Sequence, residues 1–323
     1  MDGDAVTLLA PFPYFGGKRA VTDLVWSRLG RPRQYLEPFC GSAAMLLGAP
    51  EPASLEVVGD MNGFIANFWR TTKHQPAEVA RWADYPVSHI DLGARHRWLM
   101  GERARLGDEL QDPDWPGDAK IAGWWLWGQC CWIGSGWAEW DGQEPHASNP
   151  GMGVQALGQV PHAGNPGMGV QALGRVPHAS NAGSDLLTST GRVAWDWLHR
   201  LAERLERVRI IHGAWNRGLN NQYGGADTAV FLDPPYRAYG SVYGSAGVAD
   251  AVEAWAREHA DLRVVLCGHV GDYALDGWDI VRWTRPRPTY GGVETTDREA
   301  LWCSPACLRP DARGQIDMFV GAP

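Results

Sequence analysis

Short apolar runs bounded by turn residues recur in this chain, at Gln34–Pro38, Leu55–Gly59, Val208–His212, Ala229–Leu232, Arg263–Cys267, Asp279–Trp283 and Ala300–Cys303. Runs of that length with such flanks read as strands. Between several of them the apolar period changes to a helical one. Over Arg192–Val208, the residues Ala194, Trp197, Leu198, Leu201, Leu205 and Val208 share one stripe, with arginines and glutamates opposite, which predicts an amphipathic helix. A second helix is predicted from about Val248 to His259. Strands alternating with helices need a mostly parallel sheet covered on both faces, so the expected class is α/β.

The alternation stops between about Thr71 and Gly191, where helical pieces give way to a tryptophan-rich and then a glycine-rich stretch. Within that region Pro145–Val160 recurs almost unchanged as Pro161–Val176, and a third copy starts at Pro177. A 16-residue period rich in Gly and Pro is too short for helical solenoids and matches loop composition. It reads as an extended loop made by tandem duplication or as a structured element that touches DNA. Duplication by itself explains the spacing of His146, His162 and His178, so no metal is expected. The tryptophans of Trp124–Trp137 have two readings as well, the core of an inserted domain or a surface that stacks against DNA.

Six scattered cysteines without C-x2-C pairs read as reduced, mostly buried thiols. No basic stretch leads into an apolar run at Met1–Asp4, and no window has the roughly 18 apolar residues of a membrane span, so a cytoplasmic protein is expected. A formal charge of −8 works against binding an anionic polymer unless the arginines gather on one face.

Three segments carry chemistry. Tyr35–Ser42 places a glycine turn after the first strand, followed by small residues opening a helix, where a nucleoside-bearing ligand can approach backbone amides. It lacks G-x-G-x-x-G, which disfavours a dinucleotide. Asp60 ends the second strand, and an acid there can accept ribose hydroxyls or cap the following helix. Asp233-Pro234-Pro235-Tyr236 closes a buried strand. Its two prolines remove two donors and hold the backbone extended, leaving an acceptor-rich corner. The Asp233 carboxylate and Pro234 carbonyl can each accept one N–H of an exocyclic amine, and Tyr236 offers a stacking face for an extruded base. The same tetrapeptide also suits a plain strand-ending turn.

Pro13-Tyr14-Phe15-Gly16-Gly17-Lys18, then Glu37-Pro38-Phe39-Cys40-Gly41-Ser42, then Asp60-Met61-Asn62, then Asp233-Pro234-Pro235-Tyr236 resemble, in motif and in order, the Dam-type (alpha-group) DNA adenine-N6 methyltransferases. The resemblance covers roughly residues 11–70 and 205–305. It implies a doubly wound, mostly parallel seven-stranded sheet of the Rossmann-like methyltransferase kind. Residues 1–70 and 205–323 would form the catalytic domain and 71–204 an inserted, mainly helical target-recognition domain containing the repeat at 145–183. It also implies S-adenosylmethionine as cofactor. Tyr14, Phe15, Gly16, Gly17, Lys18, Glu37, Pro38, Phe39, Cys40, Gly41, Ser42, Asp60, Met61 and Asp233 then correspond to cofactor- and substrate-contacting positions, and Asp233, Pro234, Pro235 and Tyr236 to catalytic ones.

Two departures matter. The family often places Gly-Asp and an aromatic after the third strand, where this chain has Gly213-Ala214-Trp215. Trp215 can still stack on a cofactor adenine, and one lost hydrogen bond weakens binding by about 0.5–1.5 kcal/mol. The family's polar recognition stretch is replaced by the tryptophan-rich one, so no target sequence carries over. The implied partner is double-stranded DNA, giving a nucleoid-associated protein, with a separately encoded restriction endonuclease as a further partner of such enzymes and no membrane. Cytosine-N4 methylation, an RNA substrate, and a nucleic-acid-binding protein without transfer activity are the alternatives.

Overall fold

The computed structural model describes residues 8–12, 18–85, 88–131, 137–138, 190–219, 225, 227–237, 247–289 and 292–309. Their strands are β1 Gln34–Glu37, β2 Leu55–Asp60, β3 Val208–His212, β4 Thr228–Leu232, β5 Arg263–His269, β6 Asp279–Thr289 and β7 Gly292–Cys303. They form a seven-stranded sheet in the order β3-β2-β1-β4-β5-β7-β6. β1 runs parallel to β2 and β4, and β4 runs parallel to β5. β7 is antiparallel to β5 and to β6. The expected α/β class with a mostly parallel sheet is therefore observed. None of the described helices is long and apolar enough to cross a membrane. The repeat at 145–183 lies outside the described residues.

By internal contacts the chain separates into two units, Lys18–Gly59 with Trp215–Pro323, and Met1–Gly17 with Asp60–Ala214. The first is the sheet unit. Its strand β4 is buried at all five positions, because a central parallel strand is covered on both faces and keeps no polar side. Helix α1 (Thr22–Leu29) buries Val25, Trp26 and Leu29, and the Trp26 indole donates to the Met45 carbonyl at 2.9 Å in the short helix α2 (Ala44–Leu47). At the far edge, β6 pairs with β7 alone and carries Pro286 and Pro288. Two residues apart, these put both missing donors on one side of the strand, which an edge tolerates.

The second unit is helical apart from β3 and holds α3 (Gly63–His74), α4 (Pro76–Ala83), α5 (His89–Glu109), α6 (Ala119–Cys131) and α7 (Thr190–Leu205). The predicted helix over 192–208 ends earlier, at Leu205, since Val208 already opens β3. Val208 is buried in either role, which is why it fits the helical stripe. α3 is capped by Asn62, whose Oδ1 accepts from the amides of Phe64 (2.9 Å) and Ile65 (3.4 Å). Asp60 instead accepts from the Asn62 amide at 2.8 Å, so of its two predicted roles the helix cap belongs to its neighbour.

The tryptophans are explained by α6. Trp125, Trp127 and Trp137 are buried, and Trp125 meets Phe12 edge-on at 4.9 Å. The Arg95 guanidinium lies over Tyr85 (4.1 Å) and Trp127 (4.3 Å), and Lys120 lies over Trp98 (4.2 Å) and Trp124 (4.5 Å). Trp125, Trp127 and Trp137 belong to the core of their unit, and the cation–π contacts brace Trp127 and the half-buried Tyr85, Trp98 and Trp124. Such close packing constrains Gly123, where an added Cβ would stand 2.8 Å from the Trp82 carbonyl carbon and from the Val79 carbonyl oxygen. Backbone atoms cannot swing aside. Gly123→Ala is therefore expected to cost about 2–3 kcal/mol in urea unfolding. An unchanged midpoint would mean that the two helices can separate freely at this point.

Candidate active site

Strands β1, β2 and β3 are laid down in one direction across the sheet and β4 and β5 in the other, so the order reverses between β1 and β4. Ligands of open α/β sheets bind outside the carboxyl ends of the strands at such a reversal. In the sheet unit the segments leaving those two strands are Pro38–Ala43 and Asp233–Tyr236.

After β1 the chain makes a tight turn in which the Cys40 amide donates to Gly59 at 2.9 Å and the Ala43 amide to Cys40 at 2.6 Å. Gly41 (φ 45°) and Ala43 (φ 50°) are both left-handed. A glycine adopts that conformation without penalty, but an alanine costs about 1 kcal/mol, so this turn holds local strain of the kind found at ligand sites. Glu37 lies beneath the turn, 2% exposed. One of its oxygens accepts from the Tyr35 hydroxyl at 3.0 Å and from the Leu46 amide at 3.1 Å. Burial pushes its carboxyl up to about 8, with the nearby Asp233 and Glu56 adding to the effect and the two hydrogen bonds opposing it. Glu37 is thus an internal strut joining β1 to α2, and at neutral pH it is mainly uncharged. Beside the turn, the Phe39 ring lies nearly parallel to Trp215, 19° apart with centroids at 6.2 Å, and Trp255 meets Trp215 edge-on at 6.3 Å. The indole predicted to stack on an adenine therefore belongs to a small aromatic surface.

At the end of β4, Asp233 Oδ2 pairs with Lys18 Nζ at 2.9 Å, with Asp233 20% exposed and Lys18 only 5%. Burial, the largest single influence, would lower the Lys18 pKa, but the charge and hydrogen bond of Asp233, with smaller contributions from Cys267 and Glu299, together leave the lysine above its ordinary value. Lys18 also lies 5.1 Å over the Tyr236 ring. Tyr236 packs edge-on against His269 at 4.6 Å, and burial, reinforced by Asp233, pushes its hydroxyl far above the ordinary tyrosine range. The chain leaving the tetrapeptide is clamped: Arg237 donates to the Asp272 carbonyl at 2.6 Å and to Glu253 at 2.5 Å, and it pairs with Asp250.

The structure therefore brings together, in the sheet unit, Glu37 at the end of β1 and Asp233 at the end of β4 on the two sides of the reversal, with Lys18 and Tyr236 beside Asp233 and Phe39 against Trp215. Pro38, Cys40, Gly41 and Ser42 form the connecting turn, with Cys40 and Ser42 buried. Asp60 and Met61 belong to the helical unit, with Met61 61% exposed. Tyr14, Phe15, Gly16 and Gly17 lie outside the described residues. His269, Arg237 and Glu299 escaped the sequence reading. The one available signal was Glu299, an acid standing directly before an apolar strand run. All six cysteines are free, four of them buried.

Compared with known proteins, the chain matches no family model and no curated sequence. The chemical character of the site rests on its own residues. It presents a fixed carboxylate, a proline pair without donors, a stacking ring and an aromatic surface at the strand-order reversal.

Proposed function

We propose that this chain is an S-adenosylmethionine-dependent DNA methyltransferase that modifies the N6 amine of an adenine turned out of the duplex. The observation that carries the reading is Asp233 at the carboxyl end of β4, beside the reversal of strand order, with its carboxylate oriented by a buried lysine.

The residues present fit such a cofactor in two respects. Phe39 and Trp215 offer an aromatic face for its adenine. The strained turn at Gly41 and Ala43 brings backbone close to whatever lies over β1. When bound, such a cofactor would supply a methyl group carried on a positively charged sulfur, which would keep the bonding pair as the amine nitrogen took the methyl carbon. The protein's part is positioning. Asp233 and the Pro234 carbonyl accept the two amine hydrogens, which points the nitrogen lone pair away from them and stabilises the positive charge that develops on nitrogen. Lys18 holds the carboxylate in one rotamer. Tyr236 stacks on the extruded base. No general base is needed, because the methylated nitrogen is acidic enough to lose its surplus proton to water afterwards.

The helical unit, with its tryptophan-rich core, would include the target-recognition part, and double-stranded DNA is the proposed partner. Calorimetric titration with S-adenosylmethionine tests the cofactor assignment. Saturable binding that is weakened at least about fivefold by Trp215→Ala is expected, since loss of a stacking face costs on the order of 1–3 kcal/mol. Absence of binding at millimolar cofactor would favour a DNA-binding protein without transfer activity.

A further inference from the structure

Lys18 does not face Asp233 alone. Glu299 on β7 is 8% exposed, and its Oε2 has no hydrogen-bond partner among the described residues. In the β5–β7 ladder Glu299 stands directly opposite His269, the residue whose ring packs on Tyr236. Side chains of directly paired residues share one face of the sheet. Glu299 acts electrostatically on Lys18, on Tyr236 and on Cys267, and so does Asp233. The buried ammonium paired with Asp233 thus also lies in the field of the Glu299 carboxylate, while the thiol and phenol beside them are kept neutral by burial.

A buried carboxylate oxygen without a hydrogen-bonding partner is costly unless the charge is used. We propose that Glu299 is a positioning residue that balances Lys18, so that Asp233 keeps a net negative charge for the amine it holds. This rests on the reading of the site as one for amine methylation. With Lys18 and Asp233 alone the pair would be neutral, and the positive charge arriving on the amine would meet a carboxylate already compensated. Glu299 makes the cluster net negative without touching the amine, while Lys18 still fixes the Asp233 rotamer.

The test is a double-mutant cycle on the full chain with Glu299→Gln and Lys18→Met, read by urea unfolding and by methyl-transfer kinetics. In the wild-type background Glu299→Gln should lower the unfolding midpoint, because Lys18 loses a partner. In the Lys18→Met background it should raise the midpoint, because Asp233 and Glu299 then repel with nothing between them. Should Lys18→Met alone not fold, recovery of the fold on adding Glu299→Gln is the same result. A packing role would give one sign in both backgrounds, and that outcome overturns the inference. Glu299→Gln should also lower kcat roughly 10- to 100-fold with the KM values unchanged, and Glu299→Asp should restore part of the loss. Full kcat in Glu299→Gln overturns the inference while leaving the functional reading intact. A sign reversal in a protein that transfers no methyl group overturns the functional reading and, with it, the catalytic half of the inference.

Discussion

Asp233→Ala is expected to reduce methyl transfer by at least about 1,000-fold, the scale on which removal of a fixed charge-stabilising group from an active site is felt. The variant deletes the acceptor for one amine hydrogen and the negative charge nearest the nitrogen together. It also removes the carboxylate that pairs at 2.9 Å with Lys18, itself 5% exposed, and leaves Glu299 as the acid acting on that ammonium. Loss of one partner of a buried pair costs about 3 kcal/mol, so part of the effect of alanine can come through folding. Asp233→Asn separates the two contributions, because it keeps the volume and one acceptor oxygen while removing the charge and exchanging the second acceptor oxygen for an NH2 donor. Cofactor binding close to wild type with kcat still down at least about 100-fold in Asp233→Asn would assign the loss to the chemistry. Substantial turnover in either variant would remove Asp233 from the mechanism.

Glu37→Gln is expected to make the protein more stable at pH 8 than the wild type, and about equal to it at pH 5. The folded carboxyl titrates near 8, against an ordinary value of 4.5. The sign follows from linkage. Below pH 4.5 both folded and unfolded chains hold the proton; as pH rises towards 8 the unfolded chain releases it and the folded chain does not, so stability falls across that window and levels off above it. The fall amounts to roughly 3–5 kcal/mol. Glutamine mimics the protonated form, since its carbonyl oxygen can accept from both the Tyr35 hydroxyl and the Leu46 amide as Glu37 Oε2 does. Urea unfolding of both proteins at pH 5, 6, 7 and 8 checks this. Parallel pH profiles would show that Glu37 is ionised in the folded protein.

The sheet was legible where strands run through the core. β1 and β4 were bounded to within a residue, because central parallel strands covered on both faces are largely apolar, while the edge strand β3 was bounded correctly by its Val208–His212 run and the Gly213 that follows it. The antiparallel arms were read short. β6 extends to Thr289 and β7 starts at Gly292, through arginines, prolines and threonines held by backbone pairing, which leaves no apolar pattern. Glu299 was missed for the same reason, since it stands where the apolar run begins. The cap of α3 shifted from Asp60 to Asn62 because both are competent acceptors and only geometry chooses between them.

At the site, the sequence supplied Lys18 and Asp233 as separate motifs, 215 positions apart. Their contact follows from topology, since Lys18 leads into α1 before the first strand and Asp233 ends the strand laid beside it. The burial of Glu37 was not legible, because an acid after an apolar run looks the same whether it faces ligand or core. Only the atoms around it, Tyr35 Oη and the Leu46 amide, distinguish a strut from a contact residue.

The central claim is tested most directly by the product. Duplex DNA incubated with the purified chain and S-adenosylmethionine, digested to nucleosides and analysed by mass spectrometry, should contain N6-methyladenine, and should lack it when Asp233→Ala replaces the wild type. N4-methylcytosine would keep the amine chemistry and change the base. DNA left without any methylated base, by a protein that is folded and binds the cofactor, would contradict the account.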